Sequence, residues 1–300
     1  MTTAYVFPGQ GSQFVGMGAP MAAVRPVFKS YFQRADAVLG FSLSTLCWHG
    51  PEDALNDTLN TQPAIFTHSL AAFHTVMLSN ELEPPAFVAG HSLGEISALC
   101  AAEALTFEDG LRLARERGRL MKEAGERAPG SMAAVIGLDA ALLQRICEQV
   151  SAEHTPGVVI ANDNAPGQIV ISGSTAAVAR ASELAKAAGA KRVIPLNVSV
   201  ASHSPLMASI QPAFSATVEK TPIRPARIPV VANTTAQPIT HPDDIRNELV
   251  AQLTAPVRWV ESLRFMRAQG VTRFVELGPK DVLCGLIKRT LDGVETLAIG

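Results

Sequence analysis

Short apolar runs alternate along the chain with longer segments whose apolar residues recur every three or four positions. The first run, at 4–7, predicts a buried strand, a second run ends just before position 90, and a third run, at 228–233, predicts another strand. The periodic segments predict helices at 65–78, 107–124 and 243–253, and Pro63, just before the first of them, suits a first helical turn. Strands that alternate with helices are typical of an α/β domain with a parallel sheet.

The segment 131–199 follows a different order from the rest of the chain. Its pattern predicts strand, helix, two strands, helix and strand, the βαββαβ order of a ferredoxin-like unit. We therefore expect an α/β main domain, built from 1–128 and 200–300, with a hydrolase-like parallel sheet. A smaller ferredoxin-like domain is expected to be inserted at 129–199.

Composition narrows the possible classes of protein. The chain has 300 residues, 47% of them hydrophobic, a net charge of −2 and no long basic run, so we expect a large core and no nucleic-acid partner. No apolar stretch reaches the roughly 18 residues that cross a bilayer, and no signal-peptide pattern opens the chain, so no membrane contact is expected. The scattered cysteines form neither a CxxC pair nor a metal spacing, which favours a cytoplasmic location. They are Cys47, Cys100, Cys147 and Cys284.

The segment 90–94 reads Gly-His-Ser-Leu-Gly, between an apolar run and a helical pattern. A serine on such a strand-to-helix turn, here Ser92, stands on a sharp bend with its hydroxyl exposed, the arrangement called a nucleophile elbow. The first N–H groups of the helix, including that of Leu93, then face an oxyanion formed at the serine. The alternative is a tight glycine turn with an incidental serine. The order of strand, turn and helix favours a nucleophile.

A nucleophilic serine needs a base, which is usually a histidine. His91 adjoins the serine and cannot easily fold back onto it, and His241 is predicted to cap a helix at the surface. His203 leaves a strand where the chain returns to the main domain, and it is the base that we predict. No aspartate has a diagnostic third position: Asp163 and Asp281 are candidates, and a backbone carbonyl can also fix a histidine tautomer.

The predicted helix at 107–124 carries arginines on two faces. Arg117 falls on a stripe with Leu113, Leu120 and Met121, so its guanidinium is expected to face the core. A buried guanidinium needs an anionic partner, which is either a carboxylate of the chain or a carboxylate of a substrate. Three other arginines share another face and are expected to be solvated: Arg112, Arg115 and Arg119.

Seven short motifs are spread along the chain, and their combination is far more specific than any one of them. They are Phe-Pro-Gly-Gln-Gly-Ser-Gln at 7–13, Thr-Gln-Pro-Ala at 61–64, Gly-His-Ser-Leu-Gly-Glu at 90–95, Arg-Gly-Arg-Leu-Met at 117–121, Ala-Ser-His-Ser-Pro-Leu-Met at 201–207, Pro-Val-Arg-Trp at 256–259 and Glu-Leu-Gly-Pro at 276–279. Together they resemble, nearly end to end, the malonyl-CoA:acyl-carrier-protein transacylases and the related acyltransferases of polyketide synthases.

The resemblance implies that a malonyl group moves from malonyl-CoA to the phosphopantetheine thiol of an acyl carrier protein, for fatty-acid or polyketide synthesis. Ser92 would carry the malonyl group as an ester, and His203 would act as the base. The resemblance also implies that Gln10 and Leu93 donate N–H groups to the oxyanion and that Arg117 holds the malonyl carboxylate. No bound cofactor or metal is implied, and a monomer is expected.

Three further residues enter the predicted site through the resemblance. Gln252 would orient the histidine through its backbone carbonyl, and Asn162 and Ser202 would lie near the substrate. A serine before the histidine accompanies methylmalonyl in modular synthases, but stand-alone malonyl enzymes also resemble this form. The extender unit therefore stays open, with malonyl favoured.

Three other functions are compatible with the same fold. A hydrolase that edits stalled acyl chains would gain nothing from a buried Arg117, and a non-catalytic docking module should have lost Ser92 or His203. The transferase subunit of a malonate decarboxylase shares the chemistry and differs only in its carrier. The sequence does not separate that subunit from an enzyme of fatty-acid or polyketide synthesis.

Overall fold

The computed structural model describes residues 2–79, 82–198 and 200–300, which form two sheets surrounded by helices. The strands are β1 (Thr3–Phe7), β2 (Phe87–Gly90), β3 (Gly130–Ile136), β4 (Val158–Ala165), β5 (Gln168–Ser174), β6 (Arg192–Pro195), β7 (Val230–Val231), β8 (Pro238–Ile239), β9 (Arg273–Leu277) and β10 (Glu295–Ile299). The α-helices are α1 (Ala19–Val24), α2 (Pro26–Leu39), α3 (Leu43–His49), α4 (Glu52–Asn56), α5 (Thr58–Ser79), α6 (Gly94–Ala101), α7 (Phe107–Arg127), α8 (Ala140–Glu153), α9 (Thr175–Ala187), α10 (Gln211–Lys220), α11 (Pro242–Ala251), α12 (Trp259–Ala268) and α13 (Val282–Thr290). A 3₁₀ helix, Pro205–Ile210, precedes α10.

The larger sheet has the strand order β10-β9-β1-β2-β7-β8, and every neighbouring pair is parallel except β7 with β8. All five residues of β1 are buried, as expected of a central parallel strand with helices over both faces. This sheet confirms the predicted α/β fold. The carboxyl ends of β1, β2 and β7 meet at one edge, which is where α/β proteins commonly bind ligands.

The smaller sheet is antiparallel, with the order β4-β5-β3-β6. Helices α8 and α9 pack against it around a core that includes Leu143, Val150 and Ile171. The element order and the pairing confirm the predicted ferredoxin-like βαββαβ arrangement. The limits of the two domains, at 128 and 199, stay a prediction, and Ser199 lies outside the described residues.

Two strands differ from the sequence prediction. The apolar run at 228–233 provides only the two residues of β7 to the sheet. Strand β10, at the edge of the larger sheet, was not predicted. Its residues are exposed or only half buried, so its sequence lacks the clean apolar pattern of a core strand.

Helix α5 begins well before the predicted position 65, and this places Pro63 in its interior rather than in its first turn. An interior proline has no N–H to donate to the carbonyl four residues earlier, which is that of Leu59. The Nη1 atom of Arg115 donates to this carbonyl at 2.8 Å and to Asn60 Oδ1 at 2.6 Å. The prediction that Arg115 is solvated is therefore wrong, because its guanidinium replaces the missing N–H. Arg112 and Arg119 are exposed, as predicted.

Three properties of the structure relate to the classes of protein that the composition favoured or excluded: membrane spans, cysteine pairing and metal sites. None of the helices in the described part of the chain is long and apolar enough to cross a membrane. The four cysteines are buried and unpaired. Within residues 2–79, 82–198 and 200–300, no group of three or more His, Cys, Asp or Glu side chains is placed to hold a metal ion.

We expect Arg115→Met to lower the free energy of unfolding by roughly 0.5–1.5 kcal/mol, the usual net contribution of one hydrogen bond, because the half-buried carbonyl of Leu59 loses this donor. The same change should cost less in a Pro63→Ala background, because alanine supplies an N–H for Leu59. Urea unfolding of the wild type, both single variants and the double variant measures this coupling. Equal costs of Arg115→Met in both backgrounds would show that the guanidinium does not compensate for the proline.

Candidate active site

The turn after β2 places Ser92 at a φ of 52°, in the left-handed region that residues with a side chain rarely adopt. A Cβ added at Gly90 would lie 1.9 Å from backbone atoms of Gly94, and one added at Gly94 would lie 2.0 Å from the carbonyl oxygen of Phe7. Both glycines are therefore needed for the turn to close against itself and against β1. Since α6 begins at Gly94, the serine stands at the N-terminus of a helix, as in a nucleophile elbow.

The backbone N–H groups of this turn have different partners. That of Ser92 donates to Asn233 Oδ1 at 2.8 Å and is not available to a substrate. That of Leu93 has no hydrogen-bond partner among the described residues. Leu93 and Gln10 line the same cavity as Ser92. The two residues predicted to bind an oxyanion are thus both at the serine.

His203 contacts Ser92, although the two residues are far apart in the sequence. Its Nε2 atom is 2.8 Å from Ser92 Oγ, and its Nδ1 atom is 2.8 Å from the carbonyl oxygen of Gln252 and 3.1 Å from that of Ala255. Because both carbonyls accept hydrogen bonds, the Nδ1 atom carries the proton and Nε2 presents its lone pair to the serine hydroxyl. Two backbone carbonyls occupy the position where a triad would have an aspartate.

The electrostatic surroundings keep this imidazole neutral. Burial and then the positive charge of Arg117 lower the pKa of His203 from 6.5 to about 3. A neutral imidazole at physiological pH can accept a proton from Ser92. His203 is also left-handed, with a φ of 58°, so both members of the pair are held in an uncommon backbone conformation.

Arg117 is buried, as its place on the apolar stripe predicts, with 2% of its surface exposed. Its Nη1 atom donates to Gln62 Oε1 at 3.0 Å, and its Nη2 atom donates to Gln252 Oε1 at 2.8 Å and to Ser92 Oγ at 3.1 Å. The Nε atom is buried without a partner among the described residues. Burial lowers the pKa of Arg117 to about 10, so the guanidinium stays charged at neutral pH.

The sequence left open whether Arg117 pairs with a carboxylate of the chain or with a carboxylate of a substrate. The contacts of its guanidinium bear on this choice. All of its hydrogen-bond partners are neutral, and no carboxylate of the described residues lies within 4.0 Å of it. Glu95, which Arg117 does not contact directly, is the carboxyl group whose charge raises the pKa of Arg117, and burial raises the pKa of Glu95 itself well above its ordinary value. A buried cation beside the hydroxyl of Ser92, with donor capacity unused, is suited to bind an anionic group of a ligand.

The cavity at Ser92 has a volume of about 110 Å³. It is lined by seven of the eight residues predicted for the site, namely Gln10, Ser92, Leu93, Arg117, Asn162, Ser202 and His203. The eighth, Gln252, lies behind it and contacts both His203 and Arg117. A wider cleft of about 960 Å³ adjoins the cavity and shares Gln10, Thr58, Val198 and Val200 with it. The cleft provides a route from the surface to the serine.

Three polar residues of the site were missed by the sequence analysis. Gln62 is completely buried and accepts from Arg117. Asn233 follows β7 and binds the elbow, and Glu95 is a fully buried carboxylate in the mostly apolar helix α6. A signal was present for these two, since a charged residue in a mostly apolar helix and an amide after a strand of a parallel sheet often serve a site. Gln62 lies in a helix with several other polar residues, and no such signal marked it.

The site lies where the two sheets meet. The backbone N–H of Val257 donates to the carbonyl oxygen of Ala161 in β4 at 2.9 Å, and the N–H of Asp163 donates to that of Val257 at 3.0 Å. Arg258 donates its backbone N–H to the Asn233 carbonyl at 2.9 Å. The segment 252–258 thus joins the small sheet, the elbow and the carbonyls that hold the histidine.

The family comparison agrees with the fold and the site. The family model described as acyl transferase domain matches residues 4–299, so this chain belongs to that family. Among curated proteins it is similar to the malonyl CoA-acyl carrier protein transacylases of Bacillus subtilis (strain 168) and Escherichia coli (strain K12). The identities are 44% and 45%, over 99% of this chain and over 92% and 95% of those proteins. The resemblance inferred from the motifs is confirmed.

Solved structures give the same result. The chain is similar to the malonyl-transacylase of a type II polyketide synthase in complex with its acyl-carrier protein, with a TM-score of 0.96 and 41% identity over 99% of this chain and 96% of that one. It is equally similar to the acyl carrier protein S-malonyltransferase of Vibrio cholerae O1 biovar eltor str. N16961. There the TM-score is 0.96 and the identity 41%, over 100% of this chain and 97% of that one.

We expect NMR of ¹⁵N-labelled histidine side chains to show that His203 remains neutral through the mildly acidic range, because its pKa is far below 6.5. Arg117→Ala should raise this pKa, because it removes a positive charge that opposes protonation. Arg112→Ala, on the exposed face of the same helix, should leave it unchanged. A wild-type titration near the ordinary value, or no shift in Arg117→Ala, would contradict the described electrostatics.

Proposed function

We propose that this chain transfers a malonyl group from malonyl-CoA to the phosphopantetheine thiol of an acyl carrier protein. The observation that carries the proposal is the position of Ser92 Oγ, 2.8 Å from His203 Nε2 and 3.1 Å from Arg117 Nη2. One contact provides a base for the nucleophile, and the other provides a cation for a carboxylate on the acyl group. The similarity to proteins named malonyl CoA-acyl carrier protein transacylase supports the same function.

In the first half of the reaction, His203 Nε2 accepts the proton of Ser92 Oγ as the oxygen attacks the thioester carbonyl. The N–H groups of Leu93 and Gln10 hold the oxyanion of the tetrahedral intermediate. The carbon–sulfur bond then breaks, and the imidazolium returns its proton to the departing CoA thiolate. The product is a malonyl ester on Ser92 and free CoA.

The second half reverses these steps with a new thiol. His203 accepts the proton of the phosphopantetheine thiol as its sulfur attacks the ester carbonyl. The tetrahedral intermediate breaks at the bond to Ser92 Oγ, which takes the proton back from the imidazolium. The two half-reactions form a ping-pong cycle in which no metal or bound cofactor takes part, and this absence of a cofactor is itself an expectation from the sequence.

Arg117 provides selectivity for an acyl group that ends in a carboxylate. Its buried charge lies beside Ser92 Oγ, where the acyl chain is attached, and its fork of donors suits a carboxylate. An uncharged acyl group leaves this cation without an anion. Asn162 and Ser202 line the cavity and are proposed to contact the acyl group. The choice between malonyl and methylmalonyl rests on the sequence, which favours malonyl.

The alternative functions receive less support. A hydrolase that edits acyl chains would place a buried cation where its neutral substrates need none. Polyketide synthesis is represented among the similar proteins by the malonyl-transacylase of a type II polyketide synthase. Fatty-acid synthesis and the malonate-decarboxylase alternative stay interpretations of the sequence. A cytoplasmic location and a monomeric state stay predictions from the sequence.

We expect incubation with malonyl-CoA, without an acceptor, to add one malonyl mass to the peptide that contains Ser92. A holo carrier protein should then discharge this ester much faster than water does, because its thiol is the proposed acceptor. Intact-protein and peptide mass spectrometry follow both steps. An adduct that persists in Ser92→Ala would exclude the serine as the nucleophile, and malonate release unaffected by the carrier would favour the hydrolase.

We expect Arg117→Ala to lower kcat/KM for malonyl-CoA by roughly 30-fold to several thousand-fold, since loss of one partner of a buried charge pair costs roughly 2–5 kcal/mol. The value for acetyl-CoA should change little, because acetyl has no carboxylate to lose its partner. Arg112→Ala is the control, as its side chain is exposed and pairs with Asp109 on the same helix. Equal losses for both acyl donors, in a folded variant, would make Arg117 structural.

A further inference from the structure

Glu95, the last residue of the elbow motif, is a buried carboxylate to which the reaction described above gives no role. Its side chain is completely buried at the start of α6. Its Oε1 atom accepts from the backbone N–H of Asn233 at 2.8 Å and from Asn233 Nδ2 at 2.9 Å. Its Oε2 atom accepts from Gln252 Nε2. The two oxygens of one carboxylate therefore bind two different parts of the site.

The Gln252 side chain connects Glu95 to Arg117. Its Nε2 atom donates to Glu95 and to the carbonyl oxygen of Ser92 at 3.1 Å, and its Oε1 atom accepts from Arg117 Nη2 at 2.8 Å. A guanidinium has donors only, and a carboxylate has acceptors only. The amide fits between them in one orientation, with its oxygen toward Arg117 and its nitrogen toward Glu95.

The spacing of the two charges has a chemical consequence. A direct ion pair with Glu95 would occupy the Arg117 fork, as arginine and carboxylate usually pair through two parallel hydrogen bonds. Burial, and then the charge of Glu248, raise the pKa of Glu95 well above its ordinary value, while the hydrogen bonds from Asn233 and Gln252 favour its ionised form. In that form the intervening amide keeps the carboxylate close enough to attract the guanidinium, which remains directed at Ser92 Oγ. The arginine is thereby held in place without being neutralised.

We infer that Glu95 is a positioning residue for malonyl selectivity: it fixes the Gln252 amide, and that amide holds the Arg117 guanidinium beside Ser92. The inference rests on the proposed malonyl transfer and adds a role for a residue outside the cavity. It predicts that loss of the carboxylate lowers the preference for acyl groups with a carboxylate. Loss of a merely structural side chain would lower the activity on all acyl donors alike.

The isosteric change Glu95→Gln separates the two contacts of the carboxylate. An amide oxygen in the Oε1 position keeps both bonds from Asn233. The amide nitrogen in the Oε2 position then faces Gln252 Nε2, so two donors meet. Turning the Gln252 amide relieves this contact only by directing its nitrogen at Arg117 and its oxygen at the Ser92 carbonyl. No orientation of the two amides satisfies every partner.

Glu248→Gln is a matched control. Glu248 is also buried, and its carboxylate accepts from the backbone N–H of Thr234 at 2.9 Å and from Thr234 Oγ1, next to Asn233. A glutamine there keeps both contacts, because a hydroxyl can accept as well as donate. The control replaces a buried carboxylate in the same region and leaves the contacts of the Gln252 side chain in place. Because Glu248 raises the pKa of Glu95, its loss favours the ionised form of Glu95 and does not weaken the contact with Gln252.

The experiment measures kcat/KM for malonyl-CoA and acetyl-CoA in the wild type, Glu95→Gln, Gln252→Met and the double variant. The ratio of kcat/KM for malonyl-CoA to kcat/KM for acetyl-CoA should fall roughly 5- to 100-fold in Glu95→Gln, because that is the effect of leaving one buried donor unsatisfied. The same ratio should be unchanged in Glu248→Gln. Gln252→Met, which retains the backbone carbonyl bound to His203, should lower the ratio too. In that background Glu95→Gln should lower it no further, since the contact through which it acts is gone.

A wild type that prefers malonyl, together with an unchanged ratio in Glu95→Gln, would overturn this inference and leave the proposed function standing. A wild type with no preference for malonyl would overturn the proposed function itself. If thermal unfolding shows that Glu95→Gln does not fold, Gln252→Met decides: a lower ratio supports the role of the amide, and an unchanged ratio refutes it.

Discussion

The arrangement of the site depends on one buried charge that has no direct ion-pair partner. Placing a guanidinium in a protein core is costly unless its donors are satisfied, and Arg117 satisfies its two Nη atoms with amide and hydroxyl oxygens instead of a carboxylate. Its Nε atom has no partner among the described residues. The same charge helps to keep His203 neutral. One residue therefore contributes to two properties that suit the proposed malonyl transfer: a cation that can bind a carboxylate and a histidine that is unprotonated at neutral pH.

The backbone of the elbow is held by contacts from three strands. Gly94 touches the end of β1, Ser92 leaves the end of β2, and Asn233 at the end of β7 binds the N–H of Ser92 and the carbonyl of Gly90. Strain at a left-handed serine persists only where the surroundings determine it fully, and here both sides of the bend are hydrogen-bonded to one amide. The parallel sheet thus supplies the geometry, because it brings these strand ends to one edge.

The sequence predicted the fold and most of the site because their signals are local. One continuous segment of sequence is enough to predict the elbow, the inward direction of the Arg117 side chain or the βαββαβ order. Asn233 and Gln62 were missed because their partners are distant: Asn233 lies 141 positions from Ser92, and Gln62 lies 55 from Arg117. The early start of α5 was missed because Pro63 reads as a helix start unless the Arg115 contact is known.

The same difference between local and distant signals explains why Gln252 was only partly understood from the sequence. Its motif implied a backbone carbonyl for the histidine, and the structure has that contact at 2.8 Å. Its side chain, however, binds the Ser92 carbonyl 160 positions away, and also Arg117 and Glu95. Backbone and side chain of one residue thereby couple His203 to Arg117. A displacement of the segment 252–258, which the small sheet binds at Val257, would disturb both together, so the inserted sheet supports the chemistry without supplying a reacting atom.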